Sequence, residues 1–231
     1  MIKLIFNECK RAKFGQYALV ILLGNMAALF LAISSYGMLN HNSSSVQPFA
    51  PGMPEFSLST VDLGLMLMRS ILIVWQAVLI SQMIINEYQT KTITVLFTYP
   101  YSRKEILFSK LILIGIIMTV AHIATLLIQH TVIYLFSITD PNIQFSFQSL
   151  ISMIITSLSS ILLAFIPLAV GIKFKSSIST IVSSLVIAAV VSNSQGGTAG
   201  ILSNPIMASV LGVCGVVVSV LTFKNMLKEN L

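Results

Sequence analysis

Six long apolar runs divide the chain, at about residues 17–39, 64–86, 106–136, 147–171, 178–192 and 206–223, with polar connections between them. The runs are continuous and do not alternate apolar with polar, which predicts helices and not strands. A bilayer hydrocarbon core of roughly 30 Å takes about 20 residues at 1.5 Å each. Lipid offers no partner to a backbone amide, so every group must be satisfied within its own helix. The pattern predicts an all-α polytopic membrane protein with six transmembrane helices, forming a single domain over residues 1–231. The fifth run is the shortest and is rich in serine. Composition agrees: 56% hydrophobic and 9% charged residues, at a mean hydropathy of +0.94, leave too few polar side chains to cover a water-facing surface.

Charge fixes the expected orientation. Of 13 Lys and Arg residues, all but Arg69 fall at the N-terminus (Lys3, Lys10, Arg11, Lys13), around the second connection (Lys91, Arg103, Lys104, Lys110), in the fourth (Lys173, Lys175) or after the last run (Lys224, Lys228). The opposite connections hold Glu55, Asp62 and Asp140 and no basic residue. The positive-inside rule then places both termini in the cytoplasm and demands an even number of spans. The net charge of +6 reads as topology and contact with anionic lipid, which argues against a nucleic-acid partner.

Cys9 and Cys214 sit at opposite ends, so no redox or metal pair is encoded. Before the first run, Ile2, Ile5, Phe6 and Cys9 share a helical face opposite Lys3, Asn7, Lys10 and Arg11, which predicts an amphipathic helix lying in the inner interface. The first run is too long for a cleavable signal peptide.

The stretch NEYQTKTITVLFTYPYSRKEILFSK, residues 86–110, interrupts this hydrocarbon. Pro100 forbids one unbroken helix across it. Ser102 and Glu105 have the S-x-x-E spacing of a capping box, so the third span has a defined start. Residues 87–98 are expected to form a helix along the inner membrane surface, offering Gln89 and Lys91 to something in the cytoplasm.

Glu87, Thr92, Leu96, Pro100, Ser102, Arg103 and Lys110 resemble the pattern between the second and third spans of ABC-2 type exporter permeases: E-x-x-x-G-T, a Leu-rich turn, a proline followed by x, then Ser and Arg positions that vary (P-x-[S/x]-[R/x]), and G-K. Two positions depart from it: Lys91 and Ser109 stand where the family has glycine. The resemblance implies that residues 87–98 are the coupling helix, a rod docked in a groove of a separate ATPase, with Glu87, Gln89, Lys91, Thr92, Leu96, Pro100, Ser102, Arg103 and Lys110 forming the coupling region. No G-x-x-x-x-G-K-[ST] occurs in the chain, so ATP and Mg are expected on the partner ATPase and no cofactor on this chain. Six spans are too few to enclose a pathway for a bulky cargo, so a second permease copy, identical or related, and two ATPases are expected, in the bacterial cell membrane. In the family, the neutral segment at 192–205 often dips back as short re-entrant helices; a simple outer hairpin is the alternative.

Within the spans, Arg69, Gln76, His122 and Gln129 are the candidates for a substrate pathway. Arg69 can instead snorkel outward toward Asp62, and His122 and Gln129, seven apart on one face, can serve as packing glue. Pro167 predicts a bend in the inner half of the fourth span. The hydroxyl residues of span four (Ser149, Ser152, Thr156, Ser157, Ser159, Ser160) and span five favour close helix approach, and can alternatively line a cavity for an amphipathic cargo. Two histidines at this spacing make no zinc site, and no G-x-S-x-G, H-E-x-x-H or intramembrane Asp pair points to an enzyme. The expected function is the permease subunit of an ATP-driven exporter. The family handles lipids, polysaccharides, drugs and peptides. This chain's style is similar to that of exporters for amphipathic peptides, such as phenol-soluble-modulin and lantibiotic-immunity systems. The alternative is an ion-coupled secondary carrier, which would want buried carboxylates that the spans lack.

Overall fold

A computed structural model describes residues 14–42, 60–90, 103–139, 150–193 and 200–228, and every regular element in them is helical. In chain order they are α1 (Phe14–Asn42), α2 (Thr60–Ile80), a π turn (Ser81–Ile85), α3 (Asn86–Gln89), α4 (Arg103–Thr139), α5 (Leu150–Leu163), α6 (Ile166–Phe174), α7 (Ser177–Val191), a short 3-10 turn (Ile201–Ser203) and α8 (Pro205–Lys228). The interfacial helix expected before residue 14 lies outside the described residues.

Four continuous helical stretches are long and apolar enough to cross a membrane: Gly64–Gln89, Glu105–Val132, Ile151–Phe174 and Pro205–Met226. Two shorter apolar helices, Leu19–Ser34 and Ser177–Val191, accompany them. The bundle is therefore multi-pass, and its outer faces carry the side chains lipid demands, among them Phe30, Leu127, Ile151 and Ile206.

Side-chain contacts give each helix a direction. Gly24 of α1 faces Ile71 and Gly64 of α2 faces Ala32, so α1 and α2 are antiparallel. Gln129 of α4 bonds the Gly64 carbonyl at 3.0 Å while Lys110 reaches Glu87, so α4 also runs against α2. Arg69 meets Thr156 and Gln76 meets Ile161, so α5 runs parallel to α2. The Ser70 and Ser192 hydroxyls bond each other, and Gln89 bonds the turn before α7, which sets α7 antiparallel to α2. Gly212 and Gly215 pack on Ser159 and Leu162, so α8 runs parallel to α5.

Two irregularities shape the bundle. Pro167 stands at the start of α6 without an amide to continue α5. The chain tightens ahead of it: Ala164 N–H bonds Ser160 O at 3.0 Å, and Phe165 N–H bonds Leu162 O at 3.3 Å. The ladder thus skips the Ile161 carbonyl, and the bend expected from Pro167 falls at Ala164–Phe165. At the C-terminal end of α6, Lys175 takes a left-handed conformation at φ 47° and reverses the chain. Ser176 then caps α7, its hydroxyl accepting from Ser179 N–H at 3.4 Å.

Small residues let the helices close on one another. A methyl group at Gly215 would overlap the Leu162 carbonyl, and one at Gly171 would overlap the Thr180 hydroxyl and Ile85. Ser157, Ser159, Ser160 and Ser184 are buried, and the last three return their hydroxyls to carbonyls of their own helices. That is the packing use expected of the serine-rich spans. After α7, Leu202 of the 3-10 turn is buried beside Ile73, Val191 and Ala208, so residues 200–204 stay folded against the bundle. Residues 194–199 of the segment read as re-entrant or hairpin lie outside the described residues.

Candidate functional site

At the C-terminal end of α2, Asn86 N–H bonds Ser81 O, five residues back, whereas Thr90 N–H bonds Asn86 O, four back. Between those two bonds stand three amides, of residues 87–89, and four carbonyls, of residues 82–85, so the π turn frees one acceptor. Lys110, 27 residues beyond Met83 and only 1% exposed, donates from Nζ to Met83 O at 3.2 Å. The same ammonium meets Glu87 Oε1 at 2.5 Å. A buried lysine is tolerable only when paired and hydrogen-bonded, and the π turn and Glu87 together supply both partners. Ser109, standing beside it in place of the family's glycine, turns its hydroxyl back to Ile106 O at 2.8 Å within α4.

Gln89 ties the same corner to the α6–α7 reversal. Its Nε2 donates to Lys175 O at 2.9 Å, and its Oε1 accepts from the Ser177 hydroxyl at 3.0 Å. Glu87, Gln89 and Lys110, singled out in the sequence, therefore form one junction joining α3, α4 and the α6–α7 turn. Ile85, facing Gly171, packs the base of that junction. Arg103 opens α4. Lys91, Thr92, Leu96, Pro100 and Ser102 lie outside the described residues, as do residues 91–98 of the helix expected over 87–98; its first residues, 87–89, continue the span as α3.

A second polar group sits deeper in the bundle. Leu65, Met68, Arg69, His122, Gln129 and Ser157 line a cavity between α2, α4 and α5, together with Leu72, Thr125 and Leu126. Arg69 is half-buried and donates to Thr156 Oγ1 at 3.0 Å, so its head is turned into the bundle. Thr125 accepts from Asn25 Nδ2 at 3.1 Å, which brings α1 into the network. Of the four pathway candidates, Arg69, His122 and Gln129 meet here, as the shared face of His122 and Gln129 implied. Gln76 does not line the cavity. Its Nε2 donates at 3.0 Å to Ile161 O, the carbonyl that the α5 bend releases. At its volume of about 10 Å3 the cavity has no room for cargo in this conformation. Among the described residues, no three His, Cys, Asp or Glu residues come together to hold a metal ion.

Sequence reasoning missed Met83, Asn25 and Thr125, whereas Thr156 and Ser157 stood among the span-four hydroxyls that could line a cavity. Asn25 left a signal, a lone amide inside an apolar run. The Met83 carbonyl left none, because SQMII carries no mark of a π turn.

Comparison with known proteins places these observations. A family model described as ABC-2 family transporter protein matches residues 4–193. A Bacillus subtilis (strain 168) protein, printed as "Uncharacterized protein YcbO", is 29% identical over 206 residues, covering 85% of this chain and 86% of that protein. No solved structure matches the chain.

Proposed function

Because the chain belongs to the ABC-2 transporter family, and so is a membrane component of such a transporter, we propose that it is the permease subunit of an ATP-driven exporter whose ATPase is a separate polypeptide. The junction of Glu87, Lys110 and Gln89 carries this reading. It clamps the end of α2 and α3 to the start of α4 and to the α6–α7 turn, directly before the segment 91–102. In this reading that segment docks on the ATPase, through Lys91, Thr92 and Leu96, and Pro100, Ser102 and Arg103 set the turn into α4. Movement of the docked segment reaches the spans through the buried clamp, tilting them between inward-open and outward-open states.

The proposal includes six crossings of the cell membrane, both termini inside and two permease copies per transporter. The alternating helix directions support the count. The gathering of Lys110, Lys173, Lys175 and Lys224 toward one end of the bundle supports the orientation. The cargo proposed is an amphipathic or hydrophobic molecule, a peptide before others, with ATP and Mg bound only by the partner. Arg69, His122 and Gln129 would enter its pathway when α2 and α4 part. Family membership favours this over an ion-coupled carrier, and no carboxylate lines the cavity.

The test is co-expression with a candidate ABC ATPase, reconstitution in nanodiscs, and ATP turnover with and without amphipathic helical peptides. Co-purification with turnover raised severalfold by peptide is the expected result. A permease that neither binds nor stimulates any such ATPase sinks the proposal, and binding without peptide stimulation removes only the peptide.

A further inference from the structure

Among the described residues, Lys175 is the one non-glycine residue with a positive φ. At φ 47° and ψ 39° it closes α6, where its N–H bonds the Gly171 and Ile172 carbonyls. Glycine takes this left-handed position without steric cost and is the usual residue there. A lysine kept in it accepts strain, and such strain marks a side chain with a task. Attraction to the end of the helix dipole does not supply the task, because Lys173 already places a cation in the last turn of α6. Nor does a partner within the protein: Lys175 Nζ has no hydrogen bond or ion pair among the described residues.

Lys173 stands beside it with the same freedom. Its Nζ lies 6.0 Å from the centre of the Phe174 ring and meets no carboxylate among the described residues. No acidic residue occurs between Asp140 and Glu229, and Glu87, tied to this corner through Gln89, is taken by Lys110. Two ammonium groups thus point to an anion that the protein does not provide.

The side chains between them choose its source. Phe174 is 63% exposed and Ile178 74%. Phe174 ends the stretch Ile151–Phe174, which is long and apolar enough to cross a membrane, and Ile178 opens the apolar helix α7. The corner therefore lies where hydrocarbon gives way to headgroups. A free anion would satisfy the lysines and make no use of the two apolar side chains. An anionic phospholipid meets both at once.

We propose that the α6–α7 corner, residues 173–178, is a binding site for an anionic phospholipid, with Lys173 and Lys175 on its phosphate and Phe174 and Ile178 against its acyl chains. Gln89 holds the same corner through Lys175 O and the Ser177 hydroxyl, so the bound lipid steadies one side of the Glu87–Lys110 junction. The inference does not depend on what is transported or on what drives it.

A local fluorescence measurement tests it. Trp75, the chain's single tryptophan, is changed to Phe, so that Phe174→Trp reports alone from the corner. With the full chain in vesicles mixing phosphatidylcholine and phosphatidylglycerol, brominating the acyl chains of one or the other shows by quenching which lipid lies there. Phosphatidylglycerol is expected to be preferred at least about fivefold. A reporter at Phe30, exposed on α1 toward the Gly64 end of α2, should show no preference. Lys173→Gln with Lys175→Gly should bring the corner to parity. Lys175→Gly alone should remove about half of the preference while melting no lower than the parent, because glycine relieves the left-handed residue. Parity at the unaltered corner, or a preference that survives the double variant, overturns the proposal. An equal preference at Phe30 overturns it too, since that marks only bulk surface charge.

Discussion

Lys110 and Glu87 meet at 2.5 Å, and the lysine also holds the Met83 carbonyl within a π turn that leaves one acceptor spare. Glu87 is 17% exposed and Lys110 only 2% by side chain, so the pair is close to dry. Breaking a buried pair strands the surviving charge, at about 3–5 kcal/mol, whereas replacing both charges is often neutral. Lys110→Met and Glu87→Gln should therefore each lower stability by about that amount, with Glu87→Gln the milder because one face of Glu87 reaches solvent. The double variant should recover most of the loss. A double-mutant cycle followed by thermal unfolding in detergent measures the coupling.

The π turn itself can be removed. It holds one residue more than an α-helix needs, and Gln82 within it is exposed. Deleting Gln82 should close the ladder over residues 81–86 and withdraw the Met83 carbonyl from Lys110, leaving the Glu87 contact in place. The expected outcome is a protein at near-normal membrane levels whose partner ATPase loses at least half of its stimulation. Full stimulation after the deletion would show that the turn has no part in coupling.

Gln76 gives a parallel case at the other irregularity. Its amide caps Ile161 O, which the bend ahead of Pro167 leaves open, while its own Oε1 is unpartnered. Gln76→Leu uncovers one buried acceptor and removes another. Because an unsatisfied group costs about 1–3 kcal/mol, the two nearly offset, and a net loss of about 1 kcal/mol is expected by thermal melting. Transport should be unchanged, unlike a substitution in the cavity wall.

Much of the fold was legible because lipid imposes a simple rule: a continuous apolar run must be a helix, and each of the six runs holds one. Pro167 revealed the bend because its missing amide acts within its own helix. Glu87 and Lys110 were legible as members of a motif, and His122 and Gln129 as neighbours at a spacing of seven. Gln76 stands apart from the other three pathway candidates, at Ile161 O. Spacing within α2 says which face it shares with Arg69, but not that a freed carbonyl of α5 stands opposite. The Met83 and Ile161 acceptors arise from hydrogen bonds that a ladder fails to make, and no residue type announces them.

Two glycines should respond in opposite ways to one change. At Gly215 an added methyl collides with the Leu162 backbone, which cannot yield; at Gly115 it meets nothing within 4 Å. Overpacking costs about 1–3 kcal/mol, so Gly215→Ala should destabilise by that much and weaken the α5–α8 contact. Gly115→Ala should stabilise by up to about 1 kcal/mol, the helical advantage of alanine over glycine. Melting temperatures of the two variants against the parent decide it.

Arg69→Leu separates stability from transport because two large terms oppose each other. Losing the Thr156 contact removes a charge-assisted hydrogen bond, about 1.5–3 kcal/mol. Removing an arginine from a spanning helix offsets part of that, by less than the roughly 2.5–3.5 kcal/mol that applies at the membrane centre, because Arg69 is the sixth residue of its span. Membrane levels and melting temperature should therefore stay close to the parent. If the guanidinium contacts cargo, peptide-stimulated ATP turnover should fall about tenfold while basal turnover holds. Should turnover stay at the parent value with the protein fully inserted, Arg69 is a brace between α2 and α5, and the cargo path must be sought on another face of α4.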